Sequence, residues 1–392
     1  MKEIKIIHIA DLHLNDKPSD QAKAEKSLSQ IIEYTKEHNI DILIVAGDVW
    51  DKTQAFGNGS GVALAFKFFR EISKYVKLIF IIKGNNAHDN RNSIEMLHKF
   101  TWNLYAYEYN VVLGVNLETG EATDILRSEP QSRIDIILHG LPYPTKQSLL
   151  ISHDIDTQNV NYIERYDKLL NLHRITAGDY DVVKIGVFHG NVGGATLSNG
   201  QMLAGQDIII PPHILSDLGA DYYALGHIHL PQMVAKDMYY SGSLYNKDFG
   251  ELEQKYFNVI TFRDKNYNLE QIPFKSKPMQ IIEAKFENGK FEYDFNSVHY
   301  GAEIKFRYSV KEDERKLITQ KLLDEISERL GGNVKFDAKV IPNERTERST
   351  SIMKAKGLID EVKEYAKVVK EEEFITEWLI NKITSIEEGR GL

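Results

Sequence analysis

The 392-residue chain contains no cysteine. That absence excludes a disulfide framework and any thiolate metal site, and it fits a reducing compartment. A metal bound here would be held by His, Asp, Glu or Asn. No apolar run approaches the roughly 20 residues that a membrane-spanning helix needs. The opening Met1-Lys2-Glu3-Ile4-Lys5 runs straight into a strand-like segment. It shows none of the regions of a signal peptide, so a cytoplasmic location is expected. An excess of positive charge is missing as well. The net charge of −9 argues against non-specific attachment to nucleic acid, so such contacts would come from a local patch or a partner chain. Internal repeats and low-complexity segments are also absent. With 42% hydrophobic and 27% charged residues, the composition is globular, and the length suits two or three domains.

The first half alternates strand and helix patterns. Apolar runs at 4–10, 42–46 and 76–82 read as strands, and periodic segments at 20–38 and 64–75 as helices. Strands spaced by such helices imply an α/β layered domain. Further strands are expected at 134–138, 182–188, 222–225 and 238–240, with a polar, partly helical surface layer at 145–180 and a short helix at 213–218. After about residue 275 the pattern changes. Ala302, Ile304, Phe306, Tyr308 and Val310 alternate with charged residues as in a half-buried strand. An amphipathic helix over 313–330 stops at Gly331-Gly332, and a second alternating strand covers 334–340. Two further helix patterns follow, one lined by Ile359, Val362, Ala366 and Val369, the other by Ile375, Trp378, Leu379, Ile383 and Ile386. The division expected from these patterns is a main domain at 1–275, a small domain at 276–341, a linker at 342–349 and a helical hairpin at 350–392.

Polar residues stand where the strands end. Asp11 and His13 follow the first; two residues apart on an extended chain, they point the same way and can share one cation. Gly47-Asp48-Val49-Trp50-Asp51 follows the second, placing Asp48 at the strand's carboxyl end, the edge where α/β sheets bind ligands and where a carboxylate can bridge two cations. Gly84-Asn85-Asn86-Ala87-His88-Asp89 follows the third, offering an amide oxygen as a hard ligand and His88 as an acid. His189 closes a later strand, and Gly226-His227-Ile228-His229 another, with His227 and His229 on one face. Each motif alone has a plain alternative: a helix-capping Asp beside a surface His, an ordinary turn, a structural His. A buried-core explanation predicts no such placement at five strand ends. The mixed nitrogen and oxygen set suits manganese, iron or zinc better than calcium; magnesium favours fewer imidazoles. His8 is read as core, and His38, His98, His153, His173, His213 and His299 as surface or capping residues.

The order Asp-x-His, Gly-Asp-x-x-Asp, Gly-Asn with His, a lone His and Gly-His-x-His resembles the calcineurin-like metallophosphoesterase superfamily. Within it, Ala10-Asp11-Leu12-His13-Leu14, Val45-Ala46-Gly47-Asp48-Val49-Trp50-Asp51, Ala224-Leu225-Gly226-His227-Ile228-His229 and Tyr239-Tyr240-Ser241-Gly242-Ser243 are similar to the SbcD-type DNA repair nuclease subunits, a family that includes related phage recombination endonucleases. The resemblance covers about residues 1–260 in motif order. It implies a layered β-sandwich core flanked by helices, a small α+β cap that binds DNA, and a C-terminal hairpin that docks on an SMC-like, SbcC-type ATPase. It further implies that Asp11, His13, Asp48 and His229 hold one cation, that Asp48, an Asn of the third motif, His189 and His227 hold the other, and that Asp48 bridges. The implied ions are two divalent metals, manganese first and magnesium as the alternative. The implied activity is exonucleolytic or endonucleolytic hydrolysis of DNA in repair, recombination or replication, with homodimerisation possible. The family's third motif reads Gly-Asn-His-Asp, and here it is two residues longer. Counting from the strand gives Asn85 as the ligand, and counting back from His88-Asp89 gives Asn86. Lys52, Asn90, Arg91, Asn92 and Asn191 flank the motifs as candidates for DNA phosphate contacts, with a solvated loop as the alternative. Two other activities stay open: a nucleotide or phosphoprotein phosphoesterase of the same superfamily, and a non-catalytic DNA-end-binding scaffold.

Overall fold

The computed structural model describes residues 3–51, 59–90, 92–149, 161–201, 207–299, 301–342, 355, 357–369 and 372–387. Lys52, Arg91, His153 and the expected linker beyond Pro342 lie outside the described residues. The chain divides into two compact units, one of residues 1–280 with 301–303, the other of residues 281–300 with 304–392.

In the first unit two sheets pack face to face. One has six strands in the order β15-β14-β1-β2-β3-β4, where β1 is Ile4–Ile9, β2 Ile42–Ala46, β3 Leu78–Ile82, β4 Leu104–Tyr107, β14 Tyr256–Arg263 and β15 Asn266–Pro273. Strands β1 to β4 run parallel, and β14 and β15 extend the sheet antiparallel. The other has seven strands in the order β12-β13-β11-β8-β7-β5-β6, where β5 is Val111–Val115, β6 Ala122–Asp124, β7 Ile136–Leu141, β8 Val183–His189, β11 Tyr222–Gly226, β12 Gln232–Ala235 and β13 Met238–Tyr240. Its central four, β7, β8, β11 and β13, are parallel. Two short strands, β9 (Asn191–Val192) and β10 (Ile209–Ile210), pair separately.

The alternation of side chains along the strands explains the layers. Ile6, Ile42, Ile44, Leu78 and Phe80 face inward and meet Leu113, Leu138, Ile185, Val187 and Ala224 of the opposing sheet. Their neighbours Ile7, Ile9, Leu43, Val45, Ile79 and Ile81 face outward, against Leu28 and Ile31 of the helix Pro18–His38 and Phe68, Phe69 and Ile72 of the helix Ser60–Ile72. The helix Tyr162–Gly178 covers the other sheet through Tyr166 and Leu170. Strands buried on both faces read as unbroken apolar runs, as β2 and β3 do, while β1 admits Lys5 and His8. The helix Pro18–His38 begins with Pro in its first turn and ends at Asn39 in left-handed conformation (φ 51°), the usual punctuation at each end. Among the described residues, no helix is long and apolar enough to cross a membrane.

A four-stranded sheet, nearly all of its residues in the second unit, has the order β17-β16-β18-β19, with β16 Met279–Glu287, β17 Lys290–Glu292, β18 Glu303–Lys311 and β19 Val334–Ile341. Strands β18 and β19 are parallel, and Ile304, Phe306, Tyr308 and Val310 are its buried side. The helix expected over 313–330 is two pieces, a 3-10 turn Glu314–Leu317 and a helix Gln320–Arg329. The Thr319 hydroxyl accepts a hydrogen bond from Leu322 N, and a capping threonine starts a new helix where apolar periodicity alone suggests continuation. The helices Leu358–Val369 and Glu373–Glu387 follow.

His173 corrects the surface reading of that residue. It lies on the helix Tyr162–Gly178, is buried, and stacks on His139 of β7 with ring centroids 5.7 Å apart. The helix turns that face onto the sheet, which sequence spacing alone does not reveal. None of the four ring nitrogens has a hydrogen-bond partner among the described residues. Burial holds His139 well below its ordinary value and His173 at about 4. Because the folded state keeps both rings neutral, their contribution is complete above about pH 6.5 and is lost as the pH falls from there toward 4. The melting temperature of the wild type should therefore drop more steeply between pH 7 and 4.5 than that of His173→Leu. Equal slopes would contradict this assignment.

Candidate metal centre

The parallel ladder of β1 and β2 continues beyond the strands and delivers the first two motifs together. Asp11 N donates to Gly47 O at 3.0 Å, His13 N to Asp48 O at 3.1 Å, and Leu14 N to Val49 O at 3.0 Å. The continuation bends through left-handed backbone at Asp11 (φ 52°), His13 (46°), Gly47 (86°) and Asp48 (51°), and His227 (102°) shares that region. Such conformations cost of order 1–3 kcal/mol each for residues other than glycine, and they gather at functional sites. The other sheet is tied in by His227 N, which donates to both Asp11 carboxylate oxygens at 3.0 Å, and by His189 Nδ1, 2.6 Å from the Ala46 carbonyl.

Among the described residues three groups of ligand atoms result, the atoms of each lying within 4.8 Å of one another: Asp11, His13 and His229; Asp48, His189 and His227; and His13, Asp51 and His88. His13 Nε2 and His229 Nε2 are 2.8 Å apart, and His189 Nε2 lies 3.3 Å from Asp48 Oδ1 without hydrogen-bond alignment. In His189 and His229 the Nδ1 atom is engaged with an oxygen, Ala46 O or Glu251 Oε1. His13 Nδ1 faces Asp51 Oδ1 at 3.4 Å, a looser approach. Committing Nδ1 leaves the Nε2 lone pair facing inward, the arrangement of metal-binding histidines. Two such nitrogens at 2.8 Å repel unless a proton or a cation lies between them. The donor set therefore fits divalent cations of the manganese, iron or zinc type.

The lengthened third motif still brings its residues to the centre. Asn85 N and Nδ2 donate to Asp48 Oδ1 and Oδ2 at 2.9 and 3.1 Å, whereas Asn86 is exposed. His88 Nδ1 is 2.5 Å from Asp51 O, and its Nε2 lies 3.9 Å from Asp48 Oδ2. Asp89 is fully buried and accepts from Gly84 N at 2.7 Å and Trp50 N at 3.2 Å, fastening the third motif to the second. The two extra residues thus form a turn inside fixed anchors.

The electrostatics follow from burial opposed by neighbours. Burial pushes the Asp11 carboxyl up. Burial also pushes Asp89 up to about 7, helped by the charge of Asp48. Burial works against the Asp48 charge too, but His189 beside it prevails and holds Asp48 well below its ordinary value. Conversely burial would lower His189, and Asp48 holds it up at about 9. Burial takes His13 and His227 down to about 3. Burial would lower His229 as well, but its bond to Glu251 prevails and raises it.

Supporting residues escaped the motif reading. Glu251, Lys255, Lys247 and Tyr143 sit on loops and connections whose nearness to the centre is set by the tertiary fold alone. Lys247 pairs with Asp51 at 2.5 Å, and the Tyr143 ring lies 5.3 Å from that of His227. A cavity of about 450 Å³ opens beside the centre, lined in part by Asn191, Asp207, His227, His229 and Glu251. Of the residues flagged for DNA contact, Asn191 is buried with its side-chain oxygen unpaired, and Asn90 is half-buried, also with an unpaired oxygen.

Two apposed sheets with outer helices, and an imidazole–carboxylate centre at the carboxyl ends of their parallel strands, define a metallophosphoesterase. The family model for calcineurin-like phosphoesterases matches residues 4–231, and the chain belongs to that family. It is similar to the SbcD component of the nuclease SbcCD from Staphylococcus saprophyticus, 22% identical over 298 residues that make up 73% of each chain.

Proposed function

We propose that this chain is a divalent-metal-dependent DNA phosphodiesterase, the nuclease subunit of an SbcCD-like complex. The observation that carries the reading is the convergence of Asp11, His13, Asp48, Asn85, His189, His227 and His229 at one edge of the sandwich. The relative is named a nuclease, and the motif resemblance points to DNA as the substrate. Asp11, His13 and His229 would hold one cation, Asn85, His189 and His227 the other, and Asp48 both. Two divalent cations held together supply Lewis acidity toward a phosphoryl oxygen and a nucleophile usable near neutral pH. Asp51 O orients His88 through Nδ1, leaving Nε2 directed at the centre to deliver a proton to the departing oxygen. Manganese is the expected ion, with magnesium as the alternative.

The deciding assay offers the chain Mn2+ with linear duplex DNA, hairpin DNA or bis-p-nitrophenyl phosphate. Chelator-sensitive cleavage of DNA supports the reading. Cleavage of the small ester alone points to a nucleotide or phosphoprotein phosphoesterase, and metal binding without any cleavage points to a scaffold. His88→Ala should lower turnover by about 100-fold or more, the usual span of general acid catalysis, while Mn2+ stoichiometry stays unchanged. Unchanged turnover would remove His88 from the mechanism.

The second unit completes the proposal, with the cap at 276–341 binding DNA and the hairpin docking on an SbcC-type ATPase. Leu358, Tyr365, Phe374, Trp378 and Ile386 are exposed on the two terminal helices, an apolar surface suited to a partner. Deleting 350–392 should leave a folded, metal-binding chain that no longer copurifies with the ATPase. Loss of folding would count against docking.

A further inference from the structure

Lys255 is a fully buried ammonium with no part in the proposed chemistry. Its Nζ lies 2.8 Å from Glu251 Oε2, 2.5 Å from Glu253 Oε1 and 2.9 Å from the carbonyl oxygen of His229. Taking an ammonium out of water costs several kcal/mol, and it persists when its N–H groups all meet acceptors. Here the ammonium donates to Glu253 and the His229 carbonyl and pairs closely with Glu251, so two of its three neighbours are carboxylates. The Glu251 carboxylate is divided in turn. Oε2 takes Lys255 and the Ser243 hydroxyl at 3.3 Å, while Oε1 takes His229 Nδ1 at 2.6 Å. Lys255 therefore grips His229 twice, directly at its main chain and through Glu251 at its ring.

This arrangement fixes both the rotation of the His229 ring and which nitrogen carries the proton. With Nδ1–H given to Glu251, Nε2 has no proton in the neutral ring and faces His13 Nε2. A carboxylate behind a ligating imidazole also raises its basicity, and loss of such a partner typically weakens metal affinity about 10- to 100-fold. We propose that Glu251, locked by Lys255, is the positioning residue that presents His229 Nε2 to a divalent cation. The proposal rests on the metal-centre reading above.

The test is a calorimetric titration of Mn2+ into the whole chain, comparing wild type, His229→Ala, Glu251→Met and Glu251→Gln. Methionine keeps the volume and removes the acceptor, whereas glutamine keeps an oxygen that can accept from Nδ1–H. The wild type should bind two ions and His229→Ala should lose one. Glu251→Met should weaken one of the two about 10- to 100-fold and leave the other unchanged, and Glu251→Gln should recover most of that loss. If His229→Ala loses an ion while Glu251→Met matches wild type at both sites, the positioning role is wrong and the metal centre stands. If His229→Ala binds as wild type does, the metal centre itself is misread and the proposal falls with it. A second measurement needs no substitution at Glu251 to fold. In the Zn2+-loaded wild type, long-range 1H–15N spectra should show His229 bound through Nε2 with its proton on Nδ1. Coordination through Nδ1 overturns the proposal.

Discussion

Asp48→Asn should leave a folded chain that binds at most one Mn2+ and cleaves phosphodiesters at least about 1,000-fold more slowly, a loss of about 4 kcal/mol in transition-state stabilisation. The side chain is nearly the same shape, so the change isolates charge. Asp48 Oδ1 accepts from Asn85 N, Oδ2 accepts from Asn85 Nδ2, and the carboxylate lies 3.3 Å from His189 Nε2 and 3.9 Å from His88 Nε2. An amide in its place loses the negative charge that two cations would share, and it sets one N–H2 group against another if it keeps the contact to Asn85. Stability should suffer less than activity. Removing one partner of a buried ion pair is costly when it strands a charge, but His189 can give up its proton once Asp48 no longer holds it. The melting temperature of the metal-free variant should thus stay within several degrees of wild type, while Mn2+ no longer raises it as strongly. Two Mn2+ bound at wild-type affinity would remove Asp48 from the bridging position.

The reach of the sequence can be judged residue by residue. Asp11, Asp48, His189 and His227 stood out as candidates because each lies at or just beyond the end of a mostly buried, mostly apolar strand. That also made β1 to β3, β8 and β11 legible. The antiparallel strands flanking the parallel ladders were not. Strand β14 pairs Phe262 with Ile4 and β5 pairs Val115 with Ile136, and no local signal encodes such partners. The choice between Asn85 and Asn86 stayed open in the sequence, since two counting rules disagreed. The fold sets Asn85 Nδ2 against Asp48 Oδ2, gives Asn85 Oδ1 to Ala87 N at 2.9 Å and leaves Asn86 exposed, an arrangement no counting rule encodes. Glu251 and Lys255 carry no periodic signature at all. Their role depends on the turn after β13 folding back over His229, a tertiary event.

The close approach of the two sheets at this edge makes a single added methyl group at Gly226 strongly damaging. A Cβ at Gly226 would overlap the Ala46 carbonyl oxygen and come within 2.9 Å of both Ala10 Cβ and His189 Nδ1. The Ala46 carbonyl is the acceptor that anchors His189, so the same atom cannot yield without releasing a candidate ligand. The Ala46 oxygen is backbone and the Ala10 Cβ is fixed to backbone, so neither can swing aside. Overpacking of this kind costs about 3 kcal/mol or more, which for a domain of this size lowers the melting temperature by roughly 6–12 °C. Gly178 supplies the contrast. It closes the helix Tyr162–Gly178, and an added methyl there meets nothing within 4 Å. Gly178→Ala should be neutral or stabilising by up to about 1 kcal/mol, because alanine favours helix. Under the proposed reading Gly226→Ala should in addition lose the ion that His189 would help to hold, detectable as a missing equivalent of Mn2+ by calorimetry. Equal melting temperatures for the two variants would mean that the sheets are not in contact at Gly226, and the geometry that gathers Asp48, His189 and His227 would fail with them.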